Sequence, residues 1–313
     1  MKAYILKEAG SVDNLILSEI SPPEPKSNEV LIETKAISIN PIDMKTRVNK
    51  DVIDMLIGDE RPIILGWDIA GIVSSVGDDV TQFAPGDSVF GMINFPGHGK
   101  AYAEYVAAQE SQLAKMPNSS SFEEAAATTL SALTALQILR PRVKQGDRVL
   151  IHAGSGGVGH FAIQIAKSLG AYVLSTSSLN NKNFVLSLGA DEHIDYRAHK
   201  FEEVVSDIDF VLDGMGGEVL TNSLKVVKDG GGIVSLPTHE IPEDVADYAA
   251  QHNIEAAFVL VESNGNDMNI LKGMLESGAL KPHVSKIFTF NDIADAHIQI
   301  ESGRTVGKVI VKI

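Results

Sequence analysis

Gly154, Gly156 and Gly159, in the spacing G-x-G-x-x-G, are the residues of this chain whose type and spacing speak most directly of chemistry. A turn without side chains that opens a helix lets an anion sit against free backbone N–H groups, and the positive end of the helix dipole adds to the attraction. Glycine supplies both the clearance and the unusual dihedrals. The surrounding elements fit that task. Val149, Leu150 and Ile151 form a short apolar run before the turn, and Val158, Ala162, Ile165, Ala166 and Leu169 recur at helical intervals after it. Gly170 is placed to stop the helix in a left-handed conformation, and a second strand, Tyr172 to Thr176, follows. Strand, turn, helix and strand in that order predict dinucleotide binding, with Gly154, Ser155, Gly156, Gly157 and Val158 as the backbone that meets the pyrophosphate.

The end of the second strand decides which dinucleotide. An Asp or Glu about 20 residues past the glycines holds the ribose 2′-OH in NAD-specific folds and repels a 2′-phosphate. Here that place reads Ser175, Thr176, Ser177, Ser178, and the first acid comes only at Asp191. Ser177, Ser178 and Lys182, with Arg197 further on, favour NADP(H). A charge-assisted hydrogen bond contributes ~1.5–3 kcal/mol, so one or two such contacts set a preference of about tens- to hundreds-fold.

Composition excludes several other classes. The 313 residues include no cysteine, which removes disulfides, catalytic thiols and thiolate metal sites, and the nine histidines show no ligand spacing, so no metal is expected. The net charge of −15, with no Lys/Arg cluster, argues against nucleic acid and anionic membrane surfaces as partners. No apolar run approaches the ~20 residues of a membrane span. The opening MKAYILKEAG enters an alternating strand without the longer apolar stretch of a signal peptide, and a cytoplasmic location is expected.

The length suits two domains. Residues 1 to about 120 read as antiparallel β, with alternating segments Ala3–Leu6, Val30–Ala36, Gly71–Val76, Ser88–Met92 and Ala103–Ala107 between Pro, Gly and Asp turns, and one helix over Asp43–Ile57. From Phe122 the character changes. Ser121 caps an Ala/Leu-rich helix with Glu123 and Glu124 in its first turn. Strands and helices then alternate at 148–153 and 160–169, 172–176 and 181–188, 209–213 and 218–227, and 232–236, the pattern of a doubly wound parallel α/β sheet. Phe258–Val261 is a further strand candidate, with a helix near Asn269–Ser277. A final strand, Lys308–Ile313, returns to the first domain.

Motifs running in order over nearly the whole chain resemble the medium-chain dehydrogenase/reductase superfamily and, within it, the zinc-free quinone oxidoreductases related to zeta-crystallin. They are Ile39-Asn40-Pro41-Ile42-Asp43, Leu65-Gly66-Trp67-Asp68-Ile69-Ala70-Gly71, Pro85-Gly86-Asp87-Ser88-Val89, Tyr102-Ala103-Glu104-Tyr105-Val106, Leu133-Thr134-Ala135, the Gly154 turn, Ser187-Leu188-Gly189-Ala190-Asp191, Asp195-Tyr196, Glu301-Ser302-Gly303 and Gly307-Lys308. The resemblance implies a GroES-like β domain, residues 1–121 and 287–313, packed on a Rossmann domain, residues 122–286. It also implies an active site in the cleft between them and a homodimer formed through the cofactor domain. Two departures stand out. Trp67-Asp68 occupies the place of His-Glu in the zinc-dependent alcohol dehydrogenases, and Asn180 the place where related reductases carry Lys or Arg.

Hydride transfer to a conjugated acceptor needs no Lewis acid, because a quinone or an α,β-unsaturated carbonyl delocalises the incoming electron pair onto oxygen. By resemblance, Asn40 holds the nicotinamide ribose or the substrate oxygen, Asp43 orients it or relays a proton, and Thr134 contacts the nicotinamide. Leu236 and Phe258 face the nicotinamide from strand ends, Tyr196 sits near the adenosine phosphate, and Lys308 either reaches the cofactor or is a solvated charge. The structural alternatives are a turn-forming Asn40-Pro41 pair and a capping Asp43. The expected function is an NADPH-dependent, zinc-independent reductase of quinones or α,β-unsaturated carbonyls. Its alternatives are an alkenal or enoyl double-bond reductase and a non-catalytic NADPH-binding sensor.

Overall fold

The computed structural model describes residues 1–313, which divide into two compact units: Met1–Leu133 with Val261–Ile313, and Thr134–Leu260. The first unit begins with strands β1 (Lys2–Leu6), β2 (Leu15–Glu19) and β3 (Glu29–Ile39), helices α1 (Pro41–Val48) and α2 (Lys50–Leu56), and strands β4 (Asp68–Val76), β5 (Ser88–Met92), β6 (Tyr105–Gln109) and β7 (Ala114–Lys115). Helices α3 (Phe122–Ala127) and α4 (Leu130–Leu139) follow, α4 running across the division. The second unit holds β8 (Arg148–Ile151), α5 (Gly159–Ser168), β9 (Tyr172–Ser177), α6 (Lys182–Ser187), β10 (Glu192–Asp195), α7 (Phe201–Val204), β11 (Ile208–Asp213), α8 (Glu218–Ser223), β12 (Val227–Ser235), α9 (Glu243–Gln251) and β13 (Glu255–Ala257). The chain then rejoins the first unit with α10 (Gly265–Glu276), β14 (Val284–Thr289), α11 (Ile293–Glu301) and β15 (Lys308–Lys312).

The first unit is organised around β3. Its residues alternate between buried and half-buried along the first half, as a strand with one face on a core requires, and it pairs with β4, β6 and β15, all antiparallel. Trp67, Phe90, Tyr102, Ile32 and Ile37 fill that core. The register Val309↔Ile39 carries the C-terminal strand alongside the end of β3, so Lys308 arrives opposite Asn40.

The second unit is a six-stranded sheet in the order β10-β9-β8-β11-β12-β13, parallel at every pairing. Leu150, Leu174, Val211 and Ile233 on the strands pack with Leu220, Val245 and Ala249 from the helices and with Leu224 just after α8. Each large aliphatic side chain so buried contributes ~1.5–3 kcal/mol. The strand order reverses beside β8, the place where open α/β sheets bind ligands at their carboxyl ends.

Several local expectations are corrected. The helix expected over Asp43–Ile57 is two helices, because Asn49 is extended (φ −122°, ψ 115°) and its side chain accepts the Asp51 N–H at 2.9 Å, capping the second. The Ala/Leu helix after Ser121 breaks at Thr128, although Ser121 caps its start as expected, with the Glu124 carboxylate accepting the Ser121 N–H in return. Residues 258–261 are not a strand: β13 ends at Ala257, where its register with Val234 of β12 ends. The following helix starts earlier, at Gly265, capped by Asn264. The units meet in sequence at 133/134 and 260/261 rather than at 121/122 and 286/287. The cause is packing: α3 lies on β3, β4 and β15, and α10 lies against β7 so closely that a Cβ on Gly265 would stand 2.6 Å from the Ser111 carbonyl oxygen.

Candidate functional site

The glycine turn follows β8 directly, and its three glycines have different reasons. A Cβ on Gly154 would lie 1.9 Å from Ser175 Oγ, and one on Gly159 would lie 2.3 Å from the Ala153 carbonyl oxygen, so both are required by packing of turn, strand and helix. A Cβ on Gly156 meets only the Ala153 carbonyl oxygen, at 3.2 Å. Packing within the chain restricts Gly156 least of the three, and the space beside it is open to a group that approaches from outside. The Gly154 and Gly156 N–H groups bond to Thr176 and Ala153, whereas those of Gly157 and Val158 have no acceptor in the chain. Ser155, Gly156, Gly157 and Val158 are half-exposed. Two unpaired donors at the start of α5, beside a cradle that a Cβ would fill, fit a dinucleotide pyrophosphate.

The carboxyl ends of neighbouring strands complete this edge. Leu236 follows β12 and Phe258 follows β13, both half-exposed, with the Phe258 ring 5.0 Å from that of His239. Asp213, which ends β11, is buried and accepts the Met215 and Gly216 N–H groups at 2.8 and 3.0 Å and the Ser235 hydroxyl at 2.8 Å. Asp213 therefore fixes the Gly214–Gly217 loop. At the end of β9, Ser177 is buried, Ser178 is half-exposed, and Lys182 and Tyr196 are exposed. Asn181 donates to Ser155 Oγ at 3.0 Å and ties this end of the sheet to the glycine turn. Thr134 is the first residue of the second unit, buried within α4.

In the first unit, Asn40 and Asp43 lie in a sealed polar cluster. Asn40 sits at the start of α1, where Pro41 occupies the first helical position and the Asp43 carboxylate accepts the Asn40 N–H at 2.6 Å. The Asn40 side chain does not cap the helix. Its Nδ2 donates to Asp68 Oδ2 at 2.7 Å, and its Oδ1 accepts from the Lys308 ammonium. Lys308 also donates to Ser131 Oγ at 2.9 Å, and Asp68 Oδ1 accepts the Leu130 N–H at 2.9 Å. Asn40, Asp43 and Asp68 are 0% exposed and Lys308 2%, so Lys308 is no solvated charge.

Burial dominates the electrostatics. It raises the Asp43 carboxyl to about 8, with the Asn40 N–H and Lys308 opposing and Asp68 adding to the rise. It likewise pushes Asp68 up and Lys308 down, each opposed by the other's charge. Lys308 and Asp68 thus stand on either side of one amide, beside an Asp43 carboxyl that holds its proton at neutral pH. The Tyr102 hydroxyl lies 3.0 Å from His297 Nε2, and burial holds His297 neutral, at about 3. Arg47 donates to the Gly10 carbonyl oxygen at 2.6 Å and pairs with Glu301.

Sequence reasoning missed Ser131, Tyr102, His297 and Arg47 as members of this cluster, and Asp213 and His193 in the second unit. The available signals were Arg47 one helical turn after Asp43 and a lone histidine inside the apolar α11. A zinc ion does not fit the side chains present. No three His, Cys, Asp or Glu side chains converge, and Trp67 is buried edge-on to Phe95, its indole N–H donating to the Gly97 carbonyl oxygen at 2.7 Å.

Comparison with known proteins covers residues of both units. Residues 26–118 match the alcohol dehydrogenase GroES-like domain family, and residues 188–311 match the zinc-binding dehydrogenase family. The chain is 36% identical to 2-methylene-furan-3-one reductase of Solanum lycopersicum and 34% identical to the chloroplastic NADPH-dependent alkenal/one oxidoreductase of Arabidopsis thaliana, in each case over 99% of this chain and 79% of the relative. Among solved structures, the quinone oxidoreductase from Coxiella burnetii superposes with a TM-score of 0.92 at 37% identity, over 100% of this chain and 99% of that one. With a GroES-like unit, a parallel dinucleotide-binding unit and relatives of this kind over its whole length, the chain belongs to the medium-chain dehydrogenase/reductase superfamily, in its quinone oxidoreductase family.

Proposed function

We propose that this protein is an NADPH-dependent reductase that transfers hydride, without zinc, to a quinone or an α,β-unsaturated carbonyl. The observation that carries the reading is the Gly156 cradle at the end of β8, combined with a β9 end that has serines where an acid would exclude a 2′-phosphate. The relatives named for alkenal/one and 2-methylene-furan-3-one reduction, beside a quinone oxidoreductase structure, support a conjugated acceptor. Reduced nicotinamide, when bound, supplies the hydride.

The chain's own residues hold and orient. Gly157 and Val158 offer N–H groups to the pyrophosphate, Leu236 and Phe258 present apolar surface at the carboxyl edge where the nicotinamide belongs, and Thr134 is its polar contact. Asn40, locked between Asp68 and Lys308 with both ends of its amide engaged, sets the start of α1 rather than meeting ribose or substrate oxygen itself. Asp43 holds Asn40 in place and keeps a proton at neutral pH. We place the protein in the cytoplasm as a homodimer: its charge of −15 and lack of cysteine support the first, and the edge strand β13, open to pairing, supports the second.

The test is steady-state oxidation of NADPH with 1,4-benzoquinone and with a simple enone, after dialysis against a chelator. Turnover of either acceptor supports the reading. Tight NADPH binding with no turnover of any conjugated acceptor supports the sensor instead.

A further inference from the structure

At the end of β9 the Ser177 hydroxyl is engaged within the chain, while Ser178 contributes its carbonyl oxygen to that contact. Ser177 Oγ lies 3.1 Å from the Ser178 carbonyl oxygen and 2.8 Å from His193 Nε2. The Asn181 amide is held by Ser155. The groups left with cationic character are Lys182, exposed at the first position of α6 with no partner in the chain, and the half-buried His193 imidazole on β10. Arg197 is drawn to one side, its guanidinium over the Tyr196 ring and its Nε donating to the Tyr196 hydroxyl at 3.3 Å. The one acid facing the imidazole is Asp195, two residues along β10 on the same side and in register with Ser177.

We propose that His193 is a specificity-determining residue: with Lys182 it forms a two-cation clamp for the adenosine 2′-phosphate, and Ser177 is the hydroxyl that lets the ring take its second proton. The inference rests on the NADPH reading and deepens it.

The Ser177 hydroxyl has one proton and two neighbours. When it donates to a neutral Nε2, the ring's proton is on Nδ1. When it donates instead to the Ser178 carbonyl oxygen, its lone pair accepts Nε2–H from an imidazolium, and Nδ1–H remains for a phosphate oxygen. Both states are satisfied, so the ring can change charge without leaving a buried donor unpaired. Without ligand, burial and the Lys182 ammonium favour the neutral ring, with Asp195 and the Ser177 and Ser178 backbone opposing. A phosphate monoester approaching Lys182 carries ≈ −1.5 to −2 charge at pH 7 and reverses that balance. NADPH binding therefore draws a proton into the site, and NADH binding does not.

The experiment is calorimetric titration of the full-length wild type, His193→Gln and Lys182→Met with NADPH and NADH, between pH 6 and 8.5, in two buffers of different ionisation heat. Wild type should take up a fraction of a proton with NADPH and none with NADH, and its preference for NADPH should weaken as pH rises. His193→Gln should raise the NADPH Kd about tenfold, as loss of one charge-assisted contact implies, leave the NADH Kd within about twofold, and abolish the proton uptake. Lys182→Met, at an exposed position, should lose NADPH selectively with the fold intact. If wild type prefers NADPH and His193→Gln keeps the same preference and pH dependence, the clamp is wrong and the NADPH reading stands. If wild type binds both cofactors equally, the NADPH reading fails and takes the clamp with it.

Discussion

The Lys308 ammonium and the Asn40 amide oxygen are hydrogen-bonded across 268 residues of chain. The bond fixes more than two side chains. With its oxygen held by a cation and its nitrogen by the Asp68 carboxylate, the Asn40 amide has only one orientation that satisfies both neighbours. Asn40 begins α1, so the C-terminal strand locks the start of the helix that carries Asp43.

Removing one end of this bridge should be costly. Lys308→Met leaves the buried Asn40 Oδ1 without its ammonium donor and removes the charge that opposes the rise of Asp68, and a buried polar group left unpaired costs ~1–3 kcal/mol. Asp68→Asn with Lys308→Met should recover much of the loss. Urea unfolding of the single and double variants measures this, and equal losses in both would show that the pair is not the source.

Asp43 gives a pH signature. Its folded pKa of about 8 lies above the usual carboxylate value, so the folded state binds the extra proton between about pH 4 and pH 8. Its contribution to stability is greatest below about pH 4, falls as pH rises through that window, and levels off above it. Asp43→Asn should flatten the fall, read as the difference between variant and wild-type urea midpoints across the window.

His152 works in the opposite sense. It is buried between Thr176 Oγ1 at 3.1 Å and Ser223 Oγ at 3.0 Å, and burial lowers it to about 4. The unfolded state then binds the extra proton between about pH 6.5 and pH 4, so stability drops as pH falls through that interval. His297, lowered to about 3, adds a slope of the same sign, so His152→Gln should remove only the His152 share, read as the difference between variant and wild-type thermal midpoints across the interval.

The glycine turn separates binding from folding. Gly156→Ala adds a methyl that meets only one carbonyl oxygen, at 3.2 Å, so stability should change by less than about 1 kcal/mol while the NADPH Kd rises at least about tenfold. Gly159→Ala drives a methyl to 2.3 Å from the Ala153 carbonyl oxygen and should destabilise the unit itself. NADPH titration beside thermal unfolding of both variants distinguishes the two roles.

What the sequence revealed depended on distance along the chain. The Gly154 turn, its helix and the Gly170 stop (φ +85°) are written within 23 residues, from Arg148 to Gly170, so strand, turn and helix were legible at once. The break at Asn49 was hidden because a capping asparagine between two short apolar stretches also reads as one polar position of a longer helix. The role of Lys308 was not legible, because its partners Asn40, Asp68 and Ser131 come from three separate segments and a lysine opening a terminal strand ordinarily faces solvent. The place of α10 was hidden for a related reason: in sequence it looks like the next helix of an alternating α/β series, whereas its close approach to Ser111 and Leu113 packs it with the first unit.

In the proposed reaction hydride passes directly from NADPH to a conjugated acceptor without a metal. The most direct measurement is turnover of an enone with NADPH deuterated at C4 on each face in turn, using protein dialysed against a chelator. Deuterium should appear at the β-carbon of the product from one of the two labelled cofactors, at a rate indifferent to chelation. Activity lost on chelation and restored by zinc, or product free of deuterium from both cofactors, would contradict the account.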